Sequence, residues 1–374
     1  MKKTILDEIM MLRRGKACGK IDYGGEYVVS VSETDGTKTL YAFSVPVFRG
    51  KTRQLVCRSF AKKGEDHYLQ GAAANIVAGK KICLKNEDGY CRIDLRKRVH
   101  SVTEDYITYE DATVFPTLNG VAVKVNRKAG VPFEFSLRLS QSFLQCRENN
   151  GSFSLMQREF QPFVTISCIG ALHPNGRNLA PCWLQSYRIG DGEYQLIVRH
   201  DAADARALLF EANLYTEKLF SDTTVESRNP GKNSAFGGAA FLGNTELCGE
   251  QWLYSRPDFS KVPEVYDKRI CRAVFHMPIF CTAVPLTAYR LPSRFCSFGS
   301  SWNNKVLPGK AAAKAVLNGN YLSFDIRNCI VDKDGFLQPF EGLVIKPVQK
   351  RTEPAAVATA DSYFAPQILE LNIR

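Results

Sequence analysis

The chain has 374 residues, of which 45% are hydrophobic, 23% charged and 11% aromatic, the balance of an ordinary globular protein long enough to bury a core in each of two domains. Its net charge of +11 divides into +4 over residues 216–374, which hold 19 Lys/Arg against 15 Asp/Glu, and +7 over the rest. The densest basic runs, Arg13-Arg14, Lys62-Lys63, Lys80-Lys81 and Arg96-Lys97-Arg98, are not interleaved with aromatic residues; that argues against specific nucleic-acid recognition and leaves a solvated surface or contact with an anionic polymer.

Met1-Lys2-Lys3 has the look of an export signal, but Asp7 and Glu8 interrupt the apolar stretch and Arg13-Arg14 follow with no small-residue cleavage site, so no signal peptide is read there. Ile5, Ile9 and Leu12 fall at helical spacing and predict a short amphipathic helix. No apolar run reaches the roughly 18 residues of a transmembrane helix. Tyr27–Ser32 and Leu40–Val47 alternate around the turn Glu33–Gly36 and predict a hairpin. Tyr68–Ala78 reads as a short helix or a strand, and Ile82-Cys83-Leu84 with Cys91–Leu95 as a second hairpin around Asp88-Gly89.

Residues 103–215 read as a meander of short strands: 106–109, 120–125, 133–139, 153–155, 163–169, 186–189 and 194–199, each β-branched or aromatic and bounded by Gly, Pro or Asn. Such spacing predicts a sandwich or barrel and leaves no room for βαβ units. Dense Ala and Leu predict a helix over Ala202–Leu209, and Ala207–Leu219 reads as a linker. The fold class expected is therefore all-β with a short leading helix, in the segments 1–102, 103–215 and 216–374.

The stretch Ser221–Gly243 combines Asp222-Thr223-Thr224-Val225, the turn Asn229-Pro230-Gly231-Lys232-Asn233, the step Phe236-Gly237-Gly238 and the end Leu242-Gly243. Downstream come Pro257–Pro263, strands at Ile270–Phe275 and Leu286–Leu291, the turn Ser301-Trp302-Asn303-Asn304, Tyr321–Ile326, Gly342–Lys346 and Ser362–Leu371. In that order these features resemble the DNRLRE domain, a family of extracellular jelly-roll modules also classed as carbohydrate-binding module family 96. The name-giving hexapeptide is absent, and Gln251–Arg256 replaces the usual Arg-x-Leu-x-Lys-Phe strand. More loosely, Val114-Phe115-Pro116, Gly120–Val125, Gly151-Ser152-Phe153 and Tyr194–Val198 resemble the β-rich region preceding the module in Gram-positive Rhs or YD-repeat surface proteins. The resemblance implies a jelly-roll sandwich over 216–374, an extracellular or cell-surface setting and a glycan partner.

Catalytic patterns are missing from the sequence. His67, His100, His173, His200 and His276 form no metal-binding pair, and no nucleophile elbow or phosphate loop occurs. His200-Asp201 looks like half of a catalytic arrangement, although a strand-end His beside a turn Asp is commoner as plain structure. The expectation is a non-enzymatic protein. Sugar-binding sandwiches stack aromatic rings on sugar faces and fix hydroxyls or carboxylates with polar groups; the candidates are Trp252, Tyr254, Arg256, Tyr289, Arg290, Trp302 and Lys305, with an acidic polysaccharide as ligand. The alternative for each aromatic is a place in the core. Asp222, Asn233 and Asp325 offer oxygen ligands of the kind a structural Ca²⁺ takes, or else are turn-forming side chains; no other cofactor is expected. Rival readings are a spacer in a larger surface, toxin-carrier or phage-like assembly, and an accessory module of a polysaccharide-degrading enzyme.

Twelve cysteines are present, none in C-x-x-C spacing. Most are expected to be buried, reduced, small hydrophobes, which suggests an intracellular or anoxic setting; Cys83 and Cys91 flank the Asp88-Gly89 turn, where facing strands offer a disulfide.

Overall fold

A computed structural model describes residues 6–7, 9, 22–23, 28–44, 48–49, 54–55, 59–63, 66–70, 75–78, 81–86, 89–94, 99–102, 106–109, 111–117, 120–128, 131–139, 145–149, 151–158, 161–173, 178–202, 204–280, 285–348, 354–362 and 365–374. The architecture is all-β, built from antiparallel ladders in the four large sheets. The described helical pieces are Leu6, Asp7 and Ile9 at the start, one turn at Arg327–Ile330, and the 3-10 turns Phe259–Lys261 and Pro263–Val265. Leu6 and Ile9 are buried; Ile5 and Leu12 of the expected stripe lie outside the described residues. No described helix is long and apolar enough to cross a membrane.

The chain forms two compact units that are not the three consecutive segments expected. One comprises residues 1–18, 46–216 and 236–239; the other comprises 19–45, 217–235 and 240–374. In the first, an eight-stranded sheet takes strands from both sides of position 102, from Ser59–Lys63 through Gly89–Asp94 to Phe133–Leu139 and Cys182–Gly190. A nine-stranded sheet runs from Val99–Val102 through Gly120–Asn126, Ala207–Leu214 and Gln161–Leu172 to Gln145–Asn149. Ile82, Leu84 and Leu137 of one sheet share a core with Val123, Phe153 and Phe210 of the other. The helix expected over Ala202–Leu209 is absent: Ala207–Leu214 is an interior strand paired with Gly120–Asn126 on one side and Gln161–Leu172 on the other. Burial on both faces and two full ladders outweigh the helical propensity of Ala and Leu.

The hairpin around Asp88-Gly89 forms as expected, but its register pairs Cys83 with Arg92 and Cys91 with Leu84. Successive side chains alternate across a strand, so the two sulfurs point to opposite faces and cannot bond to each other. Among the described residues the disulfide is instead Cys168–Cys182, which ties Gln161–Leu172 of one sheet to Cys182–Gly190 of the other.

In the second unit a seven-stranded sheet has the order Asp22–Tyr23, Val28–Thr34, Thr37–Ala42, Ile368–Ile373, Ile270–Pro278, Tyr321–Asp325, Val316–Asn318. The early hairpin thus extends the sheet of the C-terminal half, with Leu40 opposite Leu371. A six-stranded sheet orders Phe220–Glu226, Gly249–Pro257, Leu343–Pro347, Leu286–Arg290 and Ala311–Lys314, with Asn244–Thr245 beside Gly249–Pro257. Leu253, Ala288, Leu343 and Ile345 from this sheet meet Leu40, Phe275, Phe324, Leu369 and Leu371 from the other in one core. A two-stranded ribbon, Ala239–Leu242 with Ala355–Ala358, adds Ala240, Leu242 and Val357 to it.

Candidate functional site

The six-stranded sheet is apolar on both faces, and its outer face carries most of the expected site. Along Gly249–Pro257 the period of two sends Gln251, Leu253 and Ser255 inward and Trp252, Tyr254 and Arg256 outward. Opposite Tyr254 stands Val344, and beyond Val344 stands Tyr289. The chain after Leu286–Arg290 folds back over this face, so Leu291 and Phe295 pack with Val225, Trp252, Tyr254 and Val344.

That loop is held by its own polar groups. Ser301 donates its N–H to Asn304 Oδ1 (2.6 Å), Asn304 Nδ2 donates to Gly299 O (3.0 Å), and the Asn303 N–H donates to Pro230 O (3.0 Å). Asn233 clamps it from the neighbouring turn: Nδ2 lies 2.9 Å from Ser297 O, 2.6 Å from Ser300 O and 3.1 Å from Thr223 Oγ1, while Oδ1 accepts the Ala235 N–H. The Trp-Asn-Asn turn thereby sets the half-buried Trp302 against Trp252, with ring centroids 5.1 Å apart.

Two ammonium groups sit on these rings. Lys305 Nζ is 4.0 Å from the Trp302 centroid and 5.5 Å from that of Trp252, and donates to Trp302 O at 2.8 Å. Lys346 Nζ is 4.6 Å from the Trp252 centroid and 5.5 Å from that of Tyr289. Neither lysine forms an ion pair among the described residues. The nearby Glu250 carboxylate accepts the Trp252 indole N–H at 2.8 Å. Burial pulls the Lys305 ammonium below its ordinary range, against the opposing charge of Glu250.

The structure thus brings Trp252, Tyr254, Tyr289, Trp302 and Lys305 together, and adds Lys346. Tyr254 is not a surface ring: it is fully buried, and its hydroxyl donates to Val306 O at 2.6 Å, so it anchors the loop. Trp252 is also buried, leaving Trp302 and Tyr289 as the partly open rings. Arg290 reaches Pro339 O at 3.3 Å. Arg256 is half-buried; burial and the charge of Arg294 lower its pKa, opposed by Asp258 and Glu341.

The three expected calcium ligands are not brought together. Asp222 lies on the inner side of its strand and accepts the Ala360 N–H; Asn233 is spent on the loop; Asp325, on the other sheet, accepts the Arg327 N–H at 3.1 Å. Among the described residues no three His, Cys, Asp or Glu converge as metal ligands. His200 packs edge-on against Phe133, with burial lowering its pKa.

Two polar arrays were not foreseen. On the outer side of the seven-stranded sheet His276 lies between Ser323 Oγ (2.8 Å from Nδ1) and Glu370 Oε2 (2.9 Å from Nε2), with Arg272 Nε 3.3 Å from Glu370 Oε1. In the same unit, Lys218 and Asp361 form a buried ion pair beside Asp222. Lys346 and His276 were legible as single polar residues in apolar runs, Leu343–Pro347 and Ala273–Pro278; the Lys218–Asp361 pair left no local signal. The sequence matches no protein-family model, and no curated protein is similar to it.

Proposed function

We propose that this is a non-enzymatic β-sandwich protein of a cell surface or secreted assembly that binds acidic polysaccharide on the outer face of its six-stranded sheet. The observation that carries this reading is the pair Lys305 and Lys346, both stacked on Trp252 and neither neutralised by an ion pair among the described residues. An ammonium over an aromatic ring is held in place and still presents N–H donors to a sugar carboxylate, while Trp302 and Tyr289 offer apolar ring surface to a pyranose. Arg256 and Arg294 add positive charge beside the lysines, four cations against the three carboxylates of Glu250, Asp258 and Glu341, whereas Arg290 alternates to the inner side of its strand and is bound to Pro339 O. The likeness of residues 216–374 to the DNRLRE module supports a glycan partner. The Cys168–Cys182 disulfide supports an oxidising compartment.

The test is calorimetric titration with alginate, chondroitin and a neutral glucan. Binding to the acidic polymers should weaken as salt rises, since exposed charges are screened within about 10 Å at 0.1 M. Lys305→Ala with Lys346→Ala should flatten that salt dependence, and Trp302→Ala should weaken binding at every salt concentration. No binding to either acidic polymer at low salt would overturn the reading in favour of a spacer module.

A further inference from the structure

We propose that Lys218 and Asp361 are joined by an intramolecular isopeptide bond that the folded protein forms by itself, with Asp222 as the assisting acid. This goes beyond glycan binding and does not depend on it.

Position is the first argument. Lys218 lies two residues before Phe220–Glu226, the edge strand of the six-stranded sheet, and Asp361 lies in the turn between Ala355–Ala358 and the last strand, Ile368–Ile373. Their side chains meet as an ion pair that is 7% and 10% exposed. Asp222, itself 6% exposed, accepts the N–H of Ala360, 138 positions along the chain, and so is fixed one residue from Asp361. A lysine and two carboxyl groups thus share one water-poor site at the junction of the first and last strands of residues 217–374.

Chemistry is the second. An ammonium and a carboxylate taken out of water lose solvation that their mutual attraction recovers only in part. Passing the proton from Lys218 Nζ to Asp361 gives a neutral amine and a neutral acid. In water that transfer runs uphill; burial favours it because both charges vanish. Burial also raises the Asp222 pKa to about 7, against the Ala360 hydrogen bond and the charge of Lys218, so Asp222 is available as a proton donor near neutrality.

The Nζ lone pair then attacks Asp361 Cγ. Asp222 polarises the carbonyl, gives a proton to the departing hydroxyl and takes one from Nζ. A C–N bond forms, a C–O bond breaks, one water leaves and Asp222 is regenerated. No oxidant or other reactant enters. The amide closes nearly the whole C-terminal run of the chain into a loop, which restricts the unfolded state as a long-range disulfide does.

Mass spectrometry of the full-length protein under denaturing conditions decides the matter. The expected result is a chain lighter than its sequence by one water molecule, and a branched tryptic peptide containing both Lys218 and Asp361. Lys218→Arg, Asp361→Ala and Asp222→Asn should each restore the full mass, and Lys218→Arg should melt about 10 °C or more below wild type. A wild-type chain at full mass would overturn the proposal even if every variant failed to fold. So would a water loss that maps to a cyclic imide elsewhere, and retention of the cross-link in Asp222→Asn would overturn the role given to Asp222.

Discussion

His276 and Glu370 face one another across neighbouring strands, Nε2 to Oε2 at 2.9 Å, with the imidazole 1% exposed. The other ring nitrogen, Nδ1, lies 2.8 Å from the Ser323 hydroxyl, so both nitrogens have a hydrogen-bond partner. Burial alone would raise the Glu370 pKa, but the His276 hydrogen bond and the charge of Arg272 outweigh it and hold the carboxyl below its ordinary range. A depressed carboxyl contributes stability that is present above its unfolded pKa and lost as pH falls through the folded value. Glu370→Gln should therefore cost about 1–3 kcal/mol at pH 7 and less at pH 3, as read from urea denaturation at both pH values.

Glu226 behaves with the opposite sign. It is 1% exposed and accepts from Asn229 Nδ2 (2.8 Å) and Gln251 Nε2 (3.3 Å). Burial raises its pKa to about 7, opposed by Asn229, Cys248, Gln251 and the charge of Lys232. Between the unfolded value near 4.5 and about 7 the folded state keeps a proton that the unfolded state has released, so stability falls as pH rises through that window and then levels off. Glu226→Gln should flatten the curve there, by up to about 3 kcal/mol at pH 8 relative to pH 4. An unchanged slope in chemical denaturation across that range would refute the assignment.

Alternation over one buried face made the hairpin of Ile82–Leu84 with Cys91–Ile93 legible, whereas Gly249–Pro257 and Leu343–Pro347, buried on both faces, were placed only by the order of features in the family resemblance. Ala207–Leu214 was misread because an interior strand buried on both faces has no alternation to show, and its Ala and Leu favour a helix locally. The place of Val28–Thr34 and Thr37–Ala42 beside Ile368–Ile373 is a pairing between chain ends, for which no window of sequence carries a signal. At the candidate site, composition pointed to Trp252, Tyr254 and Trp302 but could not say which ring is covered; the return of Leu291 and Phe295 over the sheet decides that.

The single described disulfide leaves the expectation of mostly reduced cysteines in place but makes the protein sensitive to reductant. Cys168 and Cys182 are 14 positions apart and join the two sheets of the N-terminal unit. Closing a loop of that length removes unfolded-state entropy worth about 3 kcal/mol. Dithiothreitol should therefore lower the melting temperature of the protein, and the double variant Cys168→Ser with Cys182→Ser should do so by a similar amount without dithiothreitol adding to it. Equal melting curves with and without reductant, in protein shown by thiol labelling to be oxidised at the start, would contradict this.

Asn233 offers a test that separates the loop from the rings it positions. Its amide makes three donor contacts, to Thr223 Oγ1, Ser297 O and Ser300 O, and accepts the Ala235 N–H, so it joins the 229–235 turn to the 296–304 loop that carries Trp302. Asn233→Ala removes all four and leaves two loop carbonyls without their donor, a loss of about 2–3 kcal/mol. Trp302 and Lys305 remain in the sequence, so any change in polysaccharide affinity must come through their placement. The expected outcome is faster amide hydrogen exchange confined to residues 229–235 and 296–306, with weakened binding to alginate. Asn233→Asp keeps the acceptor but not the donors, and should restore exchange protection at Ala235 while leaving the 296–304 loop open. Full protection of that loop in Asn233→Ala would show that Ser301, Asn304 and the Asn303–Pro230 contact hold the Trp302 turn by themselves.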